Sequence, residues 1–249
     1  MDITLCECDA MPDLTGYDIA LYNYHFSTLP FVNCENKAVK HIALFHEAFQ
    51  NFTPDAWIPV TELPRPLFPA LNEGLRCQSW PTVIGSFGFG FPDKNFPAIA
   101  RMVRRDFEWA ILRLNIPFAE FGDSDGAMAR AVAAQCAEIL NGTEIQLRVT
   151  HDFMDQDKLI QWLQGNDLNV FLYDQTMRPG LASAPDYALS VRRPLAISSS
   201  QMFRHLPSSI CVDNISLPRL IAAGIQPLKE VYEANSNERL IEQMKIWLK

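Results

Sequence analysis

A glycine-rich stretch between residues 85 and 94 holds the first residues that could bind a ligand. It reads Gly-Ser-Phe-Gly-Phe-Gly-Phe-Pro-Asp-Lys and lies at the end of a predicted strand and before a predicted helix. Gly88 and Gly90 would let the backbone approach a ligand closely. The N-terminus of the following helix favours anions, and Lys94 adds a positive charge. The stretch therefore predicts a diphosphate site, although its spacing is not that of a dinucleotide fingerprint, and a glycine-rich turn with a solvated lysine is the alternative.

A second set of polar residues lies in the loop between residues 174 and 186. Arg178 precedes the sequence Pro-Gly-Leu-Ala-Ser-Ala-Pro, and Asp186 follows it. A carboxylate at a helix start can accept hydrogen bonds from ribose hydroxyls. Ser183 and Asp186 also match a capping box, in which the carboxylate binds the N–H of the cap residue. Both interpretations of Asp186 stay open, and Arg178 is either a ligand-binding residue or a solvated one.

Other polar residues allow both a functional and a structural interpretation. His25 directly follows a predicted strand and could act as a general base, or it could be structural. Asp123 and Asp125 lie in a loop that resembles a metal site but lacks the further ligands of an EF-hand, which favours a solvated turn. The run of serines from Ser198 to Ser200 is typical of an N-cap for a short helix.

The composition limits the classes of function. The chain has 249 residues and a net charge of −8, which argues against nucleic-acid binding. No apolar run reaches the length of about 18–20 residues that spans a bilayer, and the acidic N-terminus does not resemble a signal peptide. We therefore expect a cytoplasmic protein. The six cysteines lack metal-ligand spacing and are expected to be reduced thiols, so neither a metal nor a cofactor is predicted.

Hydrophobic patterning predicts alternating strands and helices. The predicted strands are residues 17–24, 40–45, 81–89, 109–116, 144–149, 169–173, 194–198 and 209–212. The predicted helices are residues 96–106, 127–140, 155–163, 183–191, 217–223, 226–234 and 236–248, with a short helix near Met202. This order predicts an α/β fold with a doubly wound parallel sheet. A proline-rich connection places the domain boundary near residue 78, which gives a short partial α/β segment in residues 1–77 and a complete Rossmann-like domain in residues 78–249.

Two of these stretches resemble one enzyme family. The sequence VIGSFGFGFPDKNF looks like the first strand, loop and phosphate-binding lysine of the C-terminal domain in GT-B glycosyltransferases of the group 1 (family 4) type. The later stretch, with Asp186-Tyr-Ala-Leu and Pro194-Leu-Ala-Ile-Ser, is similar to the second half of that family's acidic signature. The resemblance covers residues 81–205, and residues 17–47 look like the tail of an N-terminal domain.

The resemblance implies transfer of a sugar from a nucleotide-diphosphate donor to a saccharide or lipid acceptor, without a metal and with retention at the anomeric carbon. Lys94 would bind the diphosphate and Asp186 the ribose, while Gly88 and Gly90 would allow close approach. The loop that begins at Gly180 would present the backbone N–H groups of Leu181, Ala182 and Ser183 to phosphate. Peripheral membrane association and oligomerisation remain open.

The sequence also departs from the family pattern. Phe89 aligns with the family's arginine before the lysine, and Arg178 aligns with the first acidic residue of its signature. Arg178 would then face a phosphate, or the usual transfer would be lost. Two alternatives therefore stand beside the transferase, for which His25 is the expected base. One is a non-catalytic nucleotide-sugar-binding or assembly module, and the other is an unrelated doubly wound enzyme such as a nucleotide-sugar epimerase.

Overall fold

The computed structural model of the chain describes residues 13–24, 36–45, 54–59, 63–65, 67, 80–175 and 180–248. The chain divides into two compact units, one of Met1–Pro64 with Asn237–Lys249 and the other of Arg65–Ser236. The boundary predicted near residue 78 lies outside the described residues. Within the described part, no helix is both long and apolar enough to cross a membrane.

The first unit contains a small parallel sheet. Strands β1 (Ile19–Tyr24), β2 (Lys40–Phe45) and β3 (Ala56–Pro59) lie in that order, which confirms the two predicted strands and adds a third from the proline-rich segment. Helix α7 (Asn237–Trp247) belongs to the same unit. The buried His41 is bonded at both ring nitrogens, to the Tyr22 hydroxyl at 3.0 Å and to the Asn36 carbonyl at 2.9 Å, and is thus a core residue.

The second unit is built on a five-stranded parallel sheet, which confirms the doubly wound α/β prediction. Its strands are β4 (Thr82–Phe87), β5 (Trp109–Asn115), β6 (Glu144–Thr150), β7 (Leu168–Phe171) and β8 (Leu195–Ile197). They lie in the order β6-β5-β4-β7-β8. Within this unit the chain passes from the central strand β4 through β5 to the edge strand β6. It then crosses back to form β7 and β8 on the other side of β4.

Helices link these strands and cover the sheet. They are α1 (Phe96–Asp106), α2 (Ala127–Leu140), α3 (Gln156–Gln164) and α4 (Ala184–Ser190), followed by α5 (Leu217–Ala223) and α6 (Lys229–Ala234). Helix α1 packs against α2, and α3 against α4. Parallel crossovers are right-handed, and the strands are added in one direction from β4 to β6 and in the other direction from β7 to β8. The pair of α1 and α2 therefore lies on one face of the sheet, and the pair of α3 and α4 on the opposite face.

The core follows the apolar periodicity of the sequence. Helix α1 buries Phe96, Ile99, Ala100 and Val103, which recur at helical spacing. Strands β4 and β7 are covered on both faces, since β7 is buried along its whole length and β4 along all but Phe87. These central strands therefore read as continuous apolar runs in the sequence.

Two local predictions were wrong. The strand expected at 209–212 is a 3₁₀ turn, Ser208–Ile210, followed by a single parallel bridge between Cys211 and Ile197. Pro207 starts this turn, and the apolar run after it is too short to form a ladder. The solvated turn expected at Asp123 is a buried helix cap, because its carboxylate accepts the N–H groups of Met128 at 2.8 Å and Ala129 at 3.0 Å.

We expect Asp123→Ala to lower the free energy of unfolding by about 1–2 kcal/mol, since two N–H groups at the start of α2 lose their acceptor. Glu120→Ala is the matched control, because Glu120 is a carboxylate in the same loop but is exposed, and its effect should stay within about 0.5 kcal/mol. Urea denaturation of both variants measures the difference. Equal effects would contradict a capping role for Asp123.

The thiol of Cys136 on α2 should make stability depend on pH. Burial raises the pKa of this thiol from 9.0 to about 12, partly offset by the charge of Arg101. Above the unfolded pKa the unfolded chain loses this proton while the folded chain keeps it, so the free energy of unfolding falls as pH rises. We expect Cys136→Ala to reduce this fall by up to about 1.4 kcal/mol per pH unit in denaturation series at alkaline pH. If the free energy of unfolding of Cys136→Ala fell with pH as steeply as that of the wild type, the raised pKa of this thiol would be contradicted.

Candidate functional site

The two predicted ligand-binding loops meet at one point of the sheet. They follow β4 and β7, the adjacent strands at which the winding direction reverses. The backbone N–H of Asp174 donates to the Asp93 carbonyl at 2.9 Å, and the Asn95 side-chain amide donates to the Asp174 carboxylate at 2.6 Å. In open α/β sheets ligands bind outside the carboxyl ends of the strands at such a reversal. We call this point the switch site.

Lys94 lies directly in the switch site. It ends a short 3₁₀ turn, Pro92–Lys94, and Asn95 then takes a left-handed conformation, with φ 51°, before α1 begins. The Lys94 ammonium lies 3.9 Å from the centroid of the Tyr173 ring, a cation–π contact. Burial and the negative charge of Asp93 both raise the pKa of the Tyr173 hydroxyl above its ordinary value, so this ring stays neutral. The ring thus positions the ammonium without adding a formal negative charge.

The glycines of the first loop have different structural roles. A Cβ atom at Gly90 would lie 2.6 Å from Ala129 Cα, so the absence of a side chain is required for packing against the start of α2. Gly88 has φ +147°, and a Cβ atom there would meet only the Phe96 ring, at 3.8 Å. Gly88 is therefore favoured by its backbone conformation, whereas Gly90 is required for close packing against the start of α2.

The loop before α4 is held by its own contacts. The Ala182 N–H donates to the Met202 carbonyl at 3.0 Å, so this predicted phosphate-binding group is engaged within the protein. The Gly180 carbonyl accepts from the Arg204 guanidinium at 3.0 Å. Leu181 is half-buried beside it, and the Ser183 side chain makes no capping bond. Arg178 and His25 lie outside the described residues, so their predicted roles remain predictions.

Asp186 is engaged within the protein, and the ribose contact predicted for it stays a prediction. Its carboxylate is buried and accepts hydrogen bonds from Arg65 through Nε, at 3.0 Å, and through Nη2. The capping box with Ser183 is therefore absent. The second carboxylate oxygen, Oδ1, has no hydrogen-bond partner and lies 3.7 Å from His205 Nε2. Both ring nitrogens of His205 are also buried without hydrogen bonds.

Arg65 and His205 were not predicted from the sequence. Arg65 lies between two prolines in a segment without periodicity, and it pairs with a residue 121 positions further along the chain. No local pattern indicates such a pair. His205 follows the 3₁₀ turn Gln201–Phe203, where nothing in the spacing points to Asp186.

The serine run confirms the predicted cap and has a further role. Ser200 Oγ accepts from the Met202 N–H at the start of the 3₁₀ turn. The same hydroxyl donates to the Asp174 carbonyl at 2.9 Å, and Ser198 Oγ donates to the Tyr173 carbonyl at 2.6 Å. These two bonds tie the end of β8 to the end of β7 beside the switch site.

Three phenylalanine rings form a cluster on the same edge of the sheet, in which Phe121 is exposed and Phe89 and Phe91 are half-buried. Phe89 and Phe91 come from the loop after β4, and Phe121 from the loop after β5. Their centroids are 6.0 Å apart for Phe89 and Phe91, 5.4 Å for Phe89 and Phe121, and 5.7 Å for Phe91 and Phe121. We call these rings the aromatic platform.

A separate groove of about 460 Å³ lies beside the edge strand β6. It is lined by Asp152, Phe153, Met154, Lys158, Gln161 and Trp162. The strand β5 separates β6 from β4, which corresponds to about 10 Å across the sheet. This groove is therefore distinct from the switch site. Among the described residues, no cluster of His, Cys, Asp or Glu could hold a metal ion.

Among known proteins, similarity is found to solved structures but not to family models or curated sequences. No family model matches the sequence, and no curated protein matches it. Among solved structures, trehalose-6-phosphate synthase OtsA superimposes with a TM-score of 0.52 and 12% sequence identity, over 67% of this chain and 42% of that chain. This likeness shows a GT-B fold. The chain thus spans less than half the length of that structure, and at this identity the likeness shows the fold and not the reaction.

Two further structures are similar at lower scores. One is the catalytic domain of cholesterol-α-glucosyltransferase from Helicobacter pylori, with a TM-score of 0.38 and 16% identity over 66% of this chain and 95% of that chain. The other is a trehalose-6-phosphate structure from E. coli bound with UDP-2-fluoro glucose, with a TM-score of 0.43 and 12% identity over 66% of this chain and 40% of that chain. Both TM-scores lie below that of trehalose-6-phosphate synthase OtsA.

The pair of Arg65 and Asp186 should be important for stability. Their side chains are only 14% and 8% exposed, and removal of one partner leaves a buried charge without compensation. We expect Arg65→Ala to lower the free energy of unfolding by about 3–5 kcal/mol. Lys158→Ala is the control, because Lys158 and Asp155 are 73% and 59% exposed and such pairs contribute about 0–1 kcal/mol. A loss in Arg65→Ala no larger than in the control, measured by urea denaturation, would contradict this.

Proposed function

We propose that the chain binds a nucleotide-diphosphate sugar at the switch site and transfers the sugar to a saccharide or lipid acceptor, with retention at the anomeric carbon. The observation that carries this proposal is the position of Lys94, whose ammonium is held at the reversal between β4 and β7. The GT-B fold supports it by analogy, because a fold by itself does not determine a reaction.

The proposed mechanism is electrostatic. When the bond to the donor sugar breaks, negative charge develops on the departing nucleoside diphosphate. A positive group fixed beforehand near this charge stabilises the transition state, and Lys94 is the residue we assign to it. Gly88, which has no side chain, would let a phosphate approach the same loop closely. His25 remains the predicted base.

The ribose contact proposed for Asp186 requires a rearrangement. The carboxylate is engaged by Arg65, and its Oδ1 atom is buried. A ribose hydroxyl can therefore reach Asp186 only if the Arg65 side chain moves. Binding of the donor would have to offset the loss of this ion pair, so donor affinity and the stability of the pair are coupled.

The same ion pair favours a second candidate function. If Arg65 keeps Asp186 occupied, and Phe89 replaces one of two expected positive charges, the unit is a non-catalytic nucleotide-sugar-binding or assembly module. An assay of sugar transfer and of nucleotide-sugar hydrolysis separates the two candidates. Binding without turnover in the presence of a panel of acceptors supports the module.

The donor site is tested by a thermal-shift screen against UDP, GDP and their common sugars, followed by calorimetry. Ligand that binds only the folded state raises the apparent stability. We expect one nucleotide to bind and Lys94→Ala to weaken it at least tenfold, because a charge-assisted contact of about 1.5–3 kcal/mol is lost. Lys158→Ala, which removes an exposed lysine on α3, should leave the affinity unchanged. Equal affinity of wild type and Lys94→Ala would refute the phosphate assignment.

A further inference from the structure

One ring of the aromatic platform is exposed to solvent and the other two are half-buried. Phe121 is 67% exposed although it contacts both other rings, and Phe89 and Phe91 keep part of their surface in water. Full burial of a phenylalanine side chain contributes about 1.5–3 kcal/mol, so apolar ring surface left in water on this edge of the sheet indicates a binding surface. Single exposed apolar residues are common, but these three rings are in mutual contact.

The backbone that carries the platform is fixed in position. Gly90, between Phe89 and Phe91, packs directly against the backbone of Ala129. A Cβ atom at Gly122 would lie 3.6 Å from Phe91 Cε1, so the second loop contacts the first. Asp123, two residues after Phe121, caps α2. A surface that is ordered before binding loses less conformational entropy when a ligand arrives.

The chemistry around the rings distinguishes between partners. The charged residues next to the platform in the sequence are Asp93, adjacent to the Pro after Phe91, and Glu120, directly before Phe121. Carboxylates accept hydrogen bonds from hydroxyl groups, but they repel anionic lipid headgroups, and the chain has a net charge of −8. Aromatic faces carry partial negative charge and attract weakly positive C–H groups. Rings combined with carboxylates therefore fit a neutral sugar ring, which offers C–H groups on one face and hydroxyls at its edge.

The position of the platform suggests its role. Phe89, Phe91 and Lys94 lie on one loop, and Phe121 follows the neighbouring strand β5. A reacting group must be held close to the bond that breaks. We propose that the aromatic platform binds a neutral saccharide ring of the acceptor, next to the donor phosphate at Lys94. The acceptor role rests on the proposed function, whereas saccharide binding by the platform can be measured without it.

Saturation-transfer NMR tests this binding, with maltose, cellobiose and lactose as probes of the full chain. We expect at least one disaccharide to receive saturation on its ring C–H protons. Phe121→Ala should weaken binding at least tenfold, and Phe121→Trp should retain it, because the ring is preserved. Phe153→Ala is the matched control, since Phe153 is 79% exposed on the loop after β6 and should not affect binding. Circular dichroism of each variant verifies that it is folded.

Several outcomes would overturn the proposal. These are absence of saturation transfer to every disaccharide, equal binding by Phe121→Ala, or equal weakening by Phe153→Ala. Sedimentation with phosphatidylcholine vesicles, if it depends on Phe121, would assign the platform to a lipid instead. Calorimetry with UDP and GDP on the same samples tests the donor site separately. Saccharide binding without nucleotide binding would refute the proposed function and leave the platform as a saccharide site.

Discussion

The reversal of winding direction at β4 is the constraint that organises the second unit. A right-handed crossover from β4 toward β6 and another from β6 back to β7 place helices on opposite faces of the sheet. The chain therefore leaves β4 and β7 toward opposite faces of the sheet, and in open α/β sheets ligands bind beside such a point. Contacts of Asp174 with Asp93 and Asn95 join the two loops there. The position of Lys94 is thus a consequence of topology and not of local sequence alone.

The buried charge of Asp186 imposes a second constraint. A carboxylate buried in the first turn of α4 must be paired, since an unpaired buried charge is strongly destabilising. Arg65 provides this pairing from the segment before β4, and so connects the start of the second unit to its last crossover. The pairing involves one carboxylate oxygen, Oδ2, whereas Oδ1 has no hydrogen-bond partner.

The sequence predicts most of the secondary structure of the second unit, for a physical reason. Apolar spacing in α1 and continuous apolar runs in β4 and β7 are local properties, and the bounds of α1 and α2 agree with those predicted. The errors concern contacts that local pattern does not encode. Asp123 is read as a solvated turn because its two acceptor bonds involve residues of the next helix. The Arg65–Asp186 pair joins residues far apart, and the cluster of Phe89, Phe91 and Phe121 depends on the packing of two loops.

Phe89 lies where the resemblance to the glycosyltransferase family implies an arginine, so the proposed diphosphate site has one positive side chain fewer. A second charge-assisted contact to a diphosphate would contribute about 1.5–3 kcal/mol, which is roughly a tenfold to hundredfold difference in affinity. The Ala182 N–H does not compensate for it, because it is bonded to Met202. Phe89 instead contributes its ring to an apolar surface beside Lys94. Under the proposed function, the ring of Phe89 would shift binding energy from the diphosphate to a neutral part of the ligand, and selectivity at this edge of the sheet would depend more on ring contacts than on charge.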